Sequence, residues 1–120
     1  MTIYQTKLKH LELRTVDFSV SVLKKTTSFS NDKSLYPIIN QLIKSATSIG
    51  ANYAEANNAS SKSDFKNKIF IAKKEAGETR YWLQVLSQLL PNEDFSALTQ
   101  EALELNLILQ KIISTMKNGK

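Results

Sequence analysis

The chain has 120 residues, 42% of them apolar and 22% charged, which is enough for one domain with its own core and too ordinary for wholesale disorder. It contains no cysteine, which excludes a disulfide, a thiolate metal site and a cysteine nucleophile and suits a reducing cytoplasm. A formal charge of +5, with a pI near 9.5, favours a polyanionic partner.

The opening residues, 1–14, lack the apolar run of a signal peptide. A first helix is expected over about 8–28, and it is the least regular of four. Leu13, Val16, Val20, Leu23 and Thr27 form one stripe, with Phe18 and Val22 on a neighbouring one. The second helix, about 35–59, carries a clean seam of Leu35, Ile39, Leu42, Ala46, Ile49 and Tyr53. Pro37 is acceptable only in a first turn, which sets the start near Ser34. In the third helix, about 63–90, the seam of Phe65, Ile69, Ala72, Ala76, Thr79, Leu83, Leu86 and Leu90 alternates steps of four and three, the signature of a bundle. Ser61 with Asp64 resembles a capping box at its start, and Pro91 stops it. The fourth helix, about 94–117, follows Asn92 or Asp94 as N-cap and aligns Leu98, Ala102, Leu105, Leu109, Ile112 and Met116. Residues 117–120 are expected to fray.

No β-alternation competes with these patterns, so the expected fold class is all-α. The connections near 28–34, 59–63 and 91–94 are short and polar, which makes sequential helices antiparallel. The expected architecture is a single domain over 1–120, an up-down-up-down four-helix bundle. No stretch approaches the roughly 18 consecutive apolar residues of a spanning helix, so no membrane partner is expected.

Two further stripes exceed what a monomeric bundle uses. On the third helix Ile71, Trp82 and Leu89 lie roughly 100° or more from the seam, among Glu75, Glu78 and Val85. They either widen the core or sit exposed singly, or they meet another subunit; a tryptophan anchor favours the oligomer. On the second helix Gln41, Ser45, Ser48, Asn52, Glu55 and Ala59 form a small, polar stripe with a single charge. It is either an ordinary solvated face or a buried network that fixes register; a solvated face is usually richer in Lys and Glu, which favours the network.

Catalytic chemistry finds no support. The one histidine, His10, has no carboxylate partner at helical spacing, and no Glu-x-x-His pair offers a di-metal site. Gly50, Gly77 and Gly119 are isolated, so no glycine-rich phosphate loop exists. Neither a cofactor nor an enzymatic activity is expected. The cations show more order. Lys62, Lys66, Lys73 and Arg80 fall within about 40° of one another, a ladder about 27 Å long, with Lys68 and Lys74 nearby. This is either a solubilising flank with pairs such as Asp64–Lys68 or a surface that tracks phosphates, binding RNA or DNA with little base specificity.

Three runs carry a family resemblance: Ser45-Ala46-Thr47-Ser48-Ile49-Gly50-Ala51-Asn52-Tyr53-Ala54-Glu55-Ala56, then Ser61-Lys62-Ser63-Asp64-Phe65, then Ile71 through Leu83 with its Lys-Glu-Ala-Gly-Glu-Thr-Arg-Tyr-Trp-Leu wording. Over roughly 35–90 the chain resembles the bacterial four-helix-bundle family of 23S rRNA intervening-sequence proteins, with the outer helices agreeing in length and pattern. The resemblance implies a ring-shaped homopentamer and marks Ser48, Asn52, Glu55 and Glu78 as the family's polar positions. It also implies kinship with the accessory variability determinant of diversity-generating retroelements, a basic pentameric barrel that binds nucleic acid and a reverse transcriptase. Gly77 departs from the pattern, standing where another small residue is commoner; it marks either a tight helix contact or nothing. The expected role is a non-catalytic, self-assembling nucleic-acid accessory protein. The rivals are a protein-interaction scaffold and a ligand binder using Glu55 and Glu78 in a subunit cleft.

Overall fold

Each of the four periodic stretches is a helix. The computed structural model describes residues 2–29 and 32–119, and of residues 3–8 and 117–119 the backbone alone. Helix α1 spans Ile3–Thr27, α2 Tyr36–Asn57, α3 Lys62–Leu89 and α4 Ser96–Gly119, with a single 3₁₀ turn at Lys33–Leu35 leading into α2. No strand occurs among the described residues.

The helix ends follow their chemistry. Asp32 accepts the amide and the hydroxyl of Ser34, and Pro37 sits in the first turn of α2, where its missing N–H costs nothing. Ser61 Oγ accepts the Asp64 amide at 3.0 Å, capping α3 as its sequence predicts. Asp94 makes the same turn with Ser96 as Asp32 does with Ser34, so α4 begins two residues later than expected. That helix continues through Gly119 and does not stop at 117; residue 120 lies outside the described residues.

Helix α2 packs most extensively on α3, α3 on α4 and α1 on α2, while α1 touches α4 lightly; the backbones of the diagonal pairs make no close approach among the described residues. Short links between contacting neighbours make this an up-and-down four-helix bundle, 48 × 26 × 22 Å in extent. The seams of α2 and α3 meet in the core: Leu42, Ala46, Ile49 and Tyr53 cluster with Ile69, Ala72, Ala76, Leu83 and Leu86, with Phe65 and Leu90 half-buried at the ends of the α3 seam. From α4 come Ala102, Leu105 and Leu109, joined by Ile113. Phe95, just before α4, closes one end of the core, with Phe29 edge-on at 5.6 Å and the Lys25 ammonium 5.2 Å from its ring.

Helix α1 corrects the sequence reading. Its expected seam is on the outside: Leu13, Val16, Val20 and Leu23 are 41–55% exposed. The core side is the neighbouring stripe, where Phe18 and Val22 are buried between Thr15 and Thr26. Threonine is admitted there because its hydroxyl bonds its own helix, Thr15 to Glu12 O and Thr26 to Leu23 O. Close approach of α1 to α2 demands Gly50: a Cβ at that position would lie 2.5 Å from Thr15 Oγ1 and 2.8 Å from Thr15 Cβ. Gly77 sits in ordinary space, its nearest neighbour being Asn106 Nδ2 at 3.8 Å, so it marks no tight contact.

Candidate functional site

Three contacts fix which neighbour lies along which flank of α3. Toward α2, the Ser45 and Thr79 hydroxyls are 2.9 Å apart and buried, and Lys68 Nζ meets Glu55 Oε1 at 2.8 Å. Toward α4, Asn106 Nδ2 donates to Lys73 O at 3.0 Å. With about 100° per residue, Ile71, Glu75, Glu78, Trp82 and Leu89 fall on the α2 flank, and Lys62, Lys66, Lys73 and Arg80 on the α4 flank. The expected contact face and the cation ladder therefore occupy opposite sides of one helix.

The α2 flank gathers the polar family positions. The Ser48 hydroxyl donates to Lys44 O at 2.7 Å and Asn52 Nδ2 to Ser48 O at 2.8 Å, so both are satisfied within α2. Gln41 and Glu55 are exposed. Only Ser45 is buried and bonded across helices, so the expected register-fixing network contracts to the Ser45–Thr79 pair. Burial, reinforced by neighbouring Glu78, pushes the Glu75 carboxyl above its ordinary pKa, against the opposing pull of Lys74 and Lys44. Trp82 is half-buried against the core, and its Nε1 donates to Glu78 Oε2 at 3.3 Å. Ile71 is half-buried too, while Leu89 is 50% exposed. Trp82 thus belongs partly to the core, and Leu89 is the freest of the three expected contact residues.

The α4 flank differs in charge. Lys62 is exposed, while Lys66, Lys73 and Arg80 are half-buried. Lys74 is exposed and lies about 100° round the helix from Lys73, off the ladder. Among the described residues no carboxylate pairs with any of these five cations. The carboxylates are engaged elsewhere. Arg14 takes Glu101 in a two-pronged grip, both contacts 2.7 Å, and Glu104 at 2.8 Å, on the α1 side of α4. Glu93 holds Lys25, and Glu55 takes Lys68 rather than leaving it to Asp64. Arg80 Nε is buried without a hydrogen-bond partner. Periodicity locates the ladder but not its lack of partners, because that depends on which way α4 turns Glu101 and Glu104.

Among the described residues no group of His, Cys, Asp and Glu is placed to hold a metal ion, and no helix is long and apolar enough to cross a membrane. His10 is exposed. The family description "23S rRNA-intervening sequence protein" matches residues 11–111, from within α1 to within α4. The chain belongs to that family. The match extends the likeness from the central two helices to all four. A solved structure from the S23 ribosomal protein family, a protein of unknown function from Bacteroides thetaiotaomicron VPI-5482, is 34% identical over 85% of this chain and 96% of its own, with a TM-score of 0.78. No curated protein matches the chain.

Proposed function

We propose that this family member is a non-catalytic, cytoplasmic accessory protein that self-assembles, with five protomers favoured, and binds RNA or DNA by its backbone along the α4 flank of α3. The kinship with the accessory variability determinant belongs to the same reading. The observation that carries it is the ladder of Lys62, Lys66, Lys73 and Arg80, which no carboxylate neutralises among the described residues. Four aligned cations over about 27 Å suit a linear polyanion better than a compact anion. Assembly through the α2 flank, around Leu89 and Ile71, leaves that ladder open, and five copies multiply the +5 of one chain around a ring.

Filter binding against salt tests the reading. Affinity for a single strand should fall with a log–log slope of about −0.7 per neutralised phosphate, and Lys66→Glu with Lys73→Glu should weaken binding and flatten that slope at unchanged particle mass. No binding at low salt would remove the nucleic-acid reading and leave the interaction scaffold.

A further inference from the structure

Beyond Arg80 the α4 flank opens into a shallow, largely open cleft of about 700 Å³ at the α3–α4 corner. Its character changes along α3. Gln84 and Gln88 follow Arg80 at helical spacing, and Thr99 and Gln100 of α4 face them, so the walls are neutral and rich in hydrogen-bonding groups. Tyr81 lies over the cleft, 57% exposed, with its ring edge-on to Trp82 at 5.0 Å. Trp82 is itself held by Glu78, so the tyrosine stands on a fixed support. At the far end are Glu93 and Asp94. Asp94 takes two hydrogen bonds from Ser96, which keep its carboxyl below the usual range and therefore charged.

The order is cation track, aromatic platform, amides, then carboxylates. A phosphate is welcome at the half-buried Arg80 guanidinium, which no carboxylate pairs among the described residues, and is repelled at the Asp94 end. An aromatic ring of roughly nucleobase size can stack on Tyr81, and the Asp94 carboxylate can accept from an exocyclic amine, Glu93 being held by Lys25. Resting on the backbone-binding reading above, we propose that this cleft receives one unstacked, amine-bearing base of a single strand whose phosphates run along the Lys62–Arg80 ladder. Duplex DNA, with its bases stacked, engages the ladder alone.

The test compares oligo(dC), oligo(dT) and a duplex on the full-length wild-type protein and on Tyr81→Ala and Tyr81→Phe, with circular dichroism confirming the helices. Tyr81→Ala should weaken oligo(dC) binding by about 5- to 150-fold, the range for losing one base–aromatic stack, with the salt slope and duplex affinity unchanged. Tyr81→Phe should retain the affinity. Oligo(dC), with its N4 amine, should bind more tightly than oligo(dT). If Tyr81→Ala leaves oligo(dC) binding intact while the Lys66→Glu, Lys73→Glu pair still weakens it, the cleft assignment fails and the backbone reading survives. Equal affinity for oligo(dC) and oligo(dT) would overturn the amine-reading role of Asp94. Full competition by cytidine monophosphate at the same concentration would assign the cleft to a free nucleotide instead of a strand. Absence of any binding by the wild type overturns both readings together.

Discussion

Gly50 and Gly77 look alike in the sequence, each a lone glycine inside a helix, yet the structure gives them opposite meanings. At Gly50 a methyl group would strike both Thr15 Oγ1 and Thr15 Cβ, and rotating the threonine away would break its 2.6 Å bond to Glu12 O. Gly50→Ala should therefore lower stability by about 1–3 kcal/mol, the usual cost of overpacking. Gly77→Ala makes only an ordinary van der Waals contact with Asn106 and should raise stability by about 0.4–1 kcal/mol through a less flexible unfolded chain. Parallel thermal melts check both, and equal shifts would refute the contrast. What separates the two glycines is a neighbour on another helix, Thr15 in one case and Asn106 in the other, so no local pattern could have told them apart. Glu75 offers a second case. Its folded pKa is raised by burial and then by Glu78, so the ionised form costs stability once pH rises through that value. Glu75→Gln should stabilise modestly near neutral pH, with the gain vanishing below the unfolded glutamate range near about pH 4. A gain that persists in acid would show that charge is not the cause.

The helices themselves were readable because local chemistry specifies them: Pro37, Ser61 and Asp94 mark starts, and an unbroken period marks the seams of α2 and α3. Helix α1 was misread for a physical reason. It carries apolar residues on two sides, and the buried side includes Thr15 and Thr26, whose hydroxyls are satisfied internally and so escape a hydropathy pattern. Thr79 and Ser45 repeat the lesson between α2 and α3. The Thr79 hydroxyl also lies 2.7 Å from Glu75 O and that of Ser45 3.2 Å from Leu42 O, linking the two helices through one short polar chain in an otherwise apolar seam. Thr79→Val should cost about 1–3 kcal/mol because it strands part of that chain, whereas the double change with Ser45→Ala should cost less than the sum of the single changes. Urea titration of the four proteins measures the coupling, and strict additivity would show that the hydroxyls do not cooperate.

For the whole molecule, apolar surface remains in view on the α2 flank of α3 with Leu89 and along the outer stripe of α1, besides single exposed residues such as Phe70 and Leu107. Light scattering should give a mass of several protomers, with five favoured. Because Trp82 is tied into the core, Trp82→Glu would confound folding with assembly, and Leu89→Glu is the cleaner probe. Dissociation by Leu89→Glu but not by Val20→Glu would place the subunit contact on α3; the reverse result would move it to α1. The side of α3 carrying the cations was legible from spacing. Their freedom from carboxylates was not, since that is decided by Arg14, which lies 87 residues from Glu101 in the chain.

That same arginine has a consequence for how the bundle closes. An up-and-down bundle is bound like a book, with every joint but one sewn by a connecting loop, and the unsewn edge lies between α1 and α4. There the helices touch only lightly, and Arg14 acts as the clasp through Glu101 and Glu104. Dissolved ions screen a partly exposed clasp of this kind. Rising ionic strength should therefore loosen the free edge of the bundle before it disturbs the sewn joints, whose seams are apolar.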